Sequence, residues 1–143
     1  MSRAFMKERE DRPPEEIPIP QSQHPNYVTP RGLLALQDRR ATASEHRDVA
    51  YLEARIESAI LVDHSTNPPK TVQFGATVHV EDGGDFDRDF TIVGEDEAEV
   101  ARGLISHVSP LAQALIGGKI GQSVIWKRPA GDLKLVIRSI AYR

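Results

Sequence analysis

The sequence predicts an α+β protein: a short antiparallel helical hairpin, then an antiparallel sheet domain that covers one short helix. Three observations predict it. Capping signals at Thr29 and Thr42 open two helices only a turn apart, which must then lie antiparallel. Beyond Pro68-Pro69 the apolar period changes from helical to alternating. Ser109-Pro110 then starts a helix of about two turns, which Gly117 stops.

Residues 1–26 carry Pro13, Pro14, Pro18, Pro20 and Pro25 among charged and polar residues. Such a segment buries too little apolar surface to offset its ordering entropy, which predicts a disordered or extended tail. Residues 27–63 form the hairpin. Thr29 is a good N-cap, Pro30 suits the first helical position, and Val28 can staple onto Leu33. The first helix is expected over about 30–41 with Leu33, Leu34 and Leu36 on its buried side. Thr42-Ala43-Ser44-Glu45 reads as a capping box that starts a second helix over about 43–61. Val49, Leu52, Ile56 and Ala59 give that helix its packed face.

Residues 70–143 form the sheet domain. Val72, Phe74, Ala76, Val78 and Val80 alternate along a first strand, and Glu81-Asp82-Gly83-Gly84-Asp85 is turn chemistry. Phe86–Val93 returns as a second strand, and Gly103–Val108 forms a third that leads into the Ser109 helix. Ser123–Lys127 and Leu133–Tyr142 complete the sheet, joined by a turn at Pro129-Ala130-Gly131-Asp132.

Composition narrows the function classes. A net charge of -3 argues against a protein whose main task is coating nucleic acid, because phosphate binding needs clustered Lys and Arg. The absence of cysteine excludes thiol chemistry, Cys-based zinc sites and disulfides, and fits a reducing cytoplasm. No apolar run approaches the roughly 18 residues needed to span a bilayer, and Met1–Glu16 lacks the apolar core of a signal peptide. No membrane partner is expected.

Several phrases occur together and in order: Phe74-Gly75-Ala76, Ile92-Val93-Gly94-Glu95-Asp96-Glu97-Ala98, Ser109-Pro110-Leu111-Ala112-Gln113-Ala114-Leu115-Ile116-Gly117, Gly121 and Pro129-Ala130-Gly131. With these the chain closely resembles the C-terminal domain of Gre factors, bacterial transcription elongation factors that bind RNA polymerase. The resemblance is dense from Val72 to Tyr142 and thinner from Tyr27 to Asp63. It implies an FKBP-like fold for the sheet domain and the RNA polymerase core as partner. It also implies a docking site. In the family the loop entering the Ser-Pro helix docks on a coiled coil of the polymerase's largest subunit, at the rim of the secondary channel. The matching residues are Ser109 and Pro110, and Val108 stands where some relatives have an acid.

Gre factors push a long hairpin down that channel, where acidic residues at the tip hold a metal ion that promotes cleavage of backtracked RNA. Here the two helices have about 11 and 18 residues, roughly 16 and 27 Å. Aligned with the family's second helix, the tip half of both arms is absent. Ser44-Glu45-His46-Arg47-Asp48 echoes the acidic tip, but Glu45 is accounted for by the capping box, acids suit a helix start, and Arg47 weakens a cation site. Arg39, Arg40 and Arg47 near the tip are candidates for touching RNA or channel walls, within the transcription complex only.

Other constellations carry less. Asp85, Asp87, Asp89 and Asp96 have nearly the spacing of a calcium loop, but Phe90 stands where the loop needs glycine. The five histidines show no metal-ligand spacing, and His79 and His107 are expected to face outward from strands. A prolyl-isomerase pocket is not inferred from fold alone. The resemblance, together with the short hairpin, therefore implies a non-enzymatic regulator without metal or cofactor, docked at the channel rim and stopping short of the active site. The alternatives are an active cleavage or elongation factor, and an interaction module unrelated to polymerase.

Overall fold

The computed structural model describes residues 17–143, so the tail expected to be disordered lies outside the described residues as far as residue 16. Helix α1 spans Pro30–Thr42 and helix α2 spans His46–Ser58. Thr29 caps α1 as its sequence demands, its Oγ1 accepting the Gly32 N–H at 2.9 Å. The hairpin closes through Leu36 and Leu52, both buried together with Val28, and Leu33, Tyr51 and Ile56 pack around them. Leu34 is 61% exposed rather than buried. One residue turns a helix by about 100°, which carries Leu34 out of the Leu33–Leu36 stripe.

The capping box does not form. Thr42 remains in α1, and its Oγ1 donates back to the Asp38 and Arg39 carbonyls at 3.4 and 3.3 Å. This local bond competes with the N-cap role. Glu45 occupies the N-cap position of α2 without any side-chain cap bond. The first arm is therefore longer than expected and the second shorter. Each has 13 residues, about 20 Å.

The second helix also stops early because the chain after it becomes a strand. Strand β2 (Ile60–Leu61) pairs in parallel with β1 (Tyr27–Val28), through Ile60 N–H to the Asn26 carbonyl at 2.8 Å and Val62 N–H to the Val28 carbonyl at 3.0 Å. These two-residue strands are too short to show a period, so the sequence held no signal for them.

The sheet domain comprises β3 (Ala76–Glu81), β4 (Asp87–Val93), β5 (Leu104–Ser106), helix α3 (Pro110–Leu115), β6 (Ser123–Trp126) and β7 (Leu133–Tyr142), with sheet order β5-β4-β3-β7-β6. The sheet is mixed rather than wholly antiparallel, since β5 runs parallel to β4. The crossover folds through a 3-10 turn at Val100–Arg102 and Gly103 (φ 75°), where a Cβ would lie 2.8 Å from the Asp89 carbonyl oxygen. Only glycine fits both conditions.

One face of the sheet wraps α3. Val78, Val80, Ile92, Leu135 and Ile137 are fully buried against Leu111, Ala112 and Leu115. Burying a side chain of this size stabilises by about 1.5–3 kcal/mol, so this cluster dominates the domain. Phe74 and Trp126 pack at its margin.

Candidate functional site

The Ser-Pro helix is fixed from below and its entry loop is presented outward. Ser109 Oγ accepts the Ala112 N–H at 3.3 Å, Pro110 fills the first position, and Leu111, Ala112 and Leu115 anchor the helix in the core. The loop folds on itself through Val108 N–H to Ser106 Oγ (3.3 Å) and Gln113 Nε2 to the His107 carbonyl (2.7 Å). Val108 and Ser109 are half-buried and Pro110 is exposed. The three docking candidates are consecutive in this loop, at the start of the anchored helix. A surface without loose rotamers loses little entropy on binding.

His107 faces inward, not outward. It is 7% exposed and lies edge-on to Tyr27 (5.3 Å between ring centroids) and Phe74 (5.6 Å). Burial lowers its pKa, with His24 and Arg55 acting in the same direction against Glu95 and a hydrogen bond with the Pro25 backbone. Next to Val108, His107 joins this corner to the root of the hairpin.

That root is latched by Glu95-Asp96-Glu97. Arg55, buried on α2, places Nε 2.6 Å from Asp96 Oδ2 and Nη2 2.7 Å from Asn26 Oδ1. Tyr51 donates its hydroxyl to Asp96 as well. Burial and this bond push the Tyr51 phenol up to about 12. Thr29 Oγ1 donates to Glu97 Oε1 at 2.6 Å, and Ser22 Oγ to Glu95 Oε1 at 3.0 Å. At Gly94 a Cβ would stand 2.3 Å from the Tyr27 carbonyl oxygen, so the two lobes touch backbone to backbone. Asn26, expected as the end of the tail, is buried in this joint, with its Nδ2 on the Arg55 carbonyl at 2.7 Å. The Gly-Glu-Asp-Glu run is part of the family resemblance, but its task as a latch is set by residues far away in the chain. The available signal was three adjacent acids with Arg55 on a helix face otherwise apolar.

The hairpin tip is mostly exposed. Arg40 reaches across to Glu53 at 2.7 Å, which spends its charge between the two helices. Arg39 and Asp48 line one small cleft together with Ile19, Thr42 and Ala43. Glu45 and Arg47 are exposed. Among the described residues, the one group of side chains that converges as metal ligands is His79, Glu81 and Asp87, on the sheet. Glu45 and Asp48 do not belong to it.

No helix among the described residues is long and apolar enough to cross a membrane. The family model described as "Transcription elongation factor, GreA/GreB, C-term" matches residues 67–142. Transcription elongation factor GreA of Beijerinckia indica subsp. indica is 41% identical over 96 residues, 66% of this chain and 61% of that protein. GreA of Anaeromyxobacter sp. (strain K) is 40% identical over 95 residues, 66% of this chain and 57% of that one. The chain spans less than two thirds of the length of these relatives. A solved prokaryotic transcription elongation factor GreA/GreB from Nitrosomonas europaea is 24% identical with a TM-score of 0.47, covering 84% of this chain and 100% of that one. The relatives overturn the expectation of a non-enzymatic chain. They carry the name of the elongation factors whose acidic tips the sequence resemblance ties to cleavage of backtracked RNA. Hairpin length bears on reach and is no evidence about chemistry.

Proposed function

Because the chain belongs to the GreA/GreB transcription elongation factor family, we propose that it binds bacterial RNA polymerase at the rim of the secondary channel through Val108, Ser109 and Pro110. The hairpin enters the channel mouth and stops before the active site. The observation that carries the second part is the length of its arms, about 20 Å each. The first part rests on the docking corner, whose helix is capped, anchored and held to the hairpin root. Arg39 and Arg47 are then placed to meet RNA or the channel wall within the complex, while Arg40 is engaged with Glu53.

Binding of labelled full chain to core polymerase tests the docking. Ser109→Ala combined with Pro110→Ala is expected to weaken binding more than Arg39→Ala or Arg47→Ala does. Loss of the cap also costs about 1 kcal/mol of stability, so folding is checked in parallel. Equal effects of corner and tip substitutions would move the docking site elsewhere, and no binding at micromolar concentration would sink the polymerase reading. Reach is tested by competition: the chain is expected to displace a full-length Gre factor and reduce its stimulation of cleavage.

One observation favours a second reading, an active cleavage factor. Glu45 makes no cap bond, so capping no longer accounts for its carboxylate at the tip. Cleavage in a backtracked complex that disappears in Glu45→Ala or Asp48→Ala would establish it and overturn the short reach.

A further inference from the structure

Strands β3 and β4 leave one face of their hairpin open to solvent. The outward positions of β3 are Thr77, His79 and Glu81, and the ladder sets them opposite Thr91, Asp89 and Asp87. The inward alternates, Val78 and Val80, belong to the core. Four potential ligands therefore stand on one patch of pleat, with their spacing fixed by backbone pairing rather than by loop conformation. One ligand atom each from His79, Glu81 and Asp87 can be chosen so that all lie within 4.8 Å of one another.

Each member has a defined place. His79 Nδ1 lies 2.6 Å from Asp89 Oδ1, and Nε2 lies 2.6 Å from Asp87 Oδ1. A ligating histidine characteristically donates its other ring N–H to a carboxylate, which fixes the tautomer and aims the free nitrogen at the metal. Asp89 stands in that relation to His79, and Nε2 points among the oxygens. Glu81 is oriented by Arg138, whose Nε donates to Oε1 at 2.6 Å and leaves Oε2 available. A register shift in β7 beside His79 and Val80 sets Arg138 at this spot. Arg88 gives the patch no compensation, because it lies over the Phe90 ring on the other side of the strand. Three carboxylates thus face one imidazole and one guanidinium.

We propose that His79, Glu81 and Asp87 form a binding site for a first-row divalent cation such as Zn2+, with Asp89 as the carboxylate that orients the histidine. One imidazole nitrogen and two carboxylate oxygens suit such an ion, whereas Mg2+ and Ca2+ prefer all-oxygen sets. Three protein ligands leave a coordination position for water or a partner's side chain. On binding, the ion displaces the Nε2 proton to solvent, and Asp87 turns from accepting that proton's hydrogen bond to ligating the metal. It would tie β3 to β4 beside the turn that joins them.

Calorimetric titration of the full chain with Zn2+ is expected to show one saturable site in the micromolar range and a rise in melting temperature. His79→Gln and Asp87→Asn should each weaken it by about tenfold or more, and Asp89→Asn, which keeps every ligand, by about 10- to 100-fold. Glu45→Gln with Asp48→Asn should leave it unchanged. The substituted residues are not core side chains, and circular dichroism checks that the variants fold. Absence of saturable binding overturns the proposal. So does unchanged Zn2+ affinity in His79→Gln, or an equal response to Mg2+ or Ca2+. All of these are read on the isolated protein, independently of polymerase binding.

Discussion

Arg55 and His107 show how single side chains hold the two lobes in register. A guanidinium buried in the joint is stabilising only while its partners stay in place. Arg55 meets Asp96, Asn26 and, at 3.8 Å, Glu95. Arg55→Leu leaves the Asp96 carboxylate and the Asn26 amide without it, and is expected to cost about 3–5 kcal/mol in urea unfolding. A cost below about 1 kcal/mol would show an exposed, interchangeable pair instead. His107 carries a pH dependence whose sign follows from its lowered pKa. The folded protein holds the imidazole neutral, while the unfolded chain takes up a proton near its ordinary value of about 6.5. Stability is therefore full above that value and falls as the pH drops below it. Glu95, His24 and Arg55 face the ring and share in the effect. His107→Phe is expected to flatten the loss of melting temperature between about pH 7 and pH 5.5. An unchanged slope would assign it to other groups.

At the scale of elements the hairpin is held by one layer. Leu36 and Leu52 are its buried contacts, and the outer positions contribute little. Leu52→Ala is expected to cost about 2–5 kcal/mol. Leu34→Ala, two positions from Leu36 but exposed, should fall within about 0.5 kcal/mol of zero. Chemical denaturation of the two variants separates them, and comparable losses would contradict the observed helix rotation. The turn at Thr42–Glu45 shows where local rules compete. The same Thr42 hydroxyl that could cap α2 instead bonds backward to α1 carbonyls. Sequence alone offers both, and helix packing selects one.

The molecule as a whole behaves as two lobes with one interface. Parallel pairing of β1 with β2, the Arg55–Asp96 pair and the glycine contact at Gly94 all lie in a single joint. Unfolding should therefore be cooperative across it. Trp126 fluorescence reports the sheet domain, while far-UV circular dichroism also reports the helices, and the two transitions are expected to coincide. Arg55→Leu should separate them, with the helical signal lost first. Coincident transitions in that variant would mean that the remaining contacts suffice. The same joint sets the angle between the Ser109-Pro110 corner and the hairpin, on which the proposed docking depends.

Much of this protein was legible in the sequence because the signals were local. Thr29-Pro30 and Ser109-Pro110 cap their helices whatever surrounds them, and alternation from Ala76 to Val80 selects one face of a strand. The wording of Val72–Tyr142 carried the family. Tertiary structure alone decided what depends on residues far apart in the chain. A two-residue strand such as Ile60–Leu61 has no period and exists only because Asn26 and Val28 offer their carbonyls. His107 turned inward because Tyr27 and Phe74 arrive over it. The His79 cluster gathers residues 79–81 with residues 87–89, and strand register, not spacing along the chain, brings them within reach. Local preference acts through the few dihedrals of one turn, whereas burial and charge pairing act between segments that only the finished fold brings together.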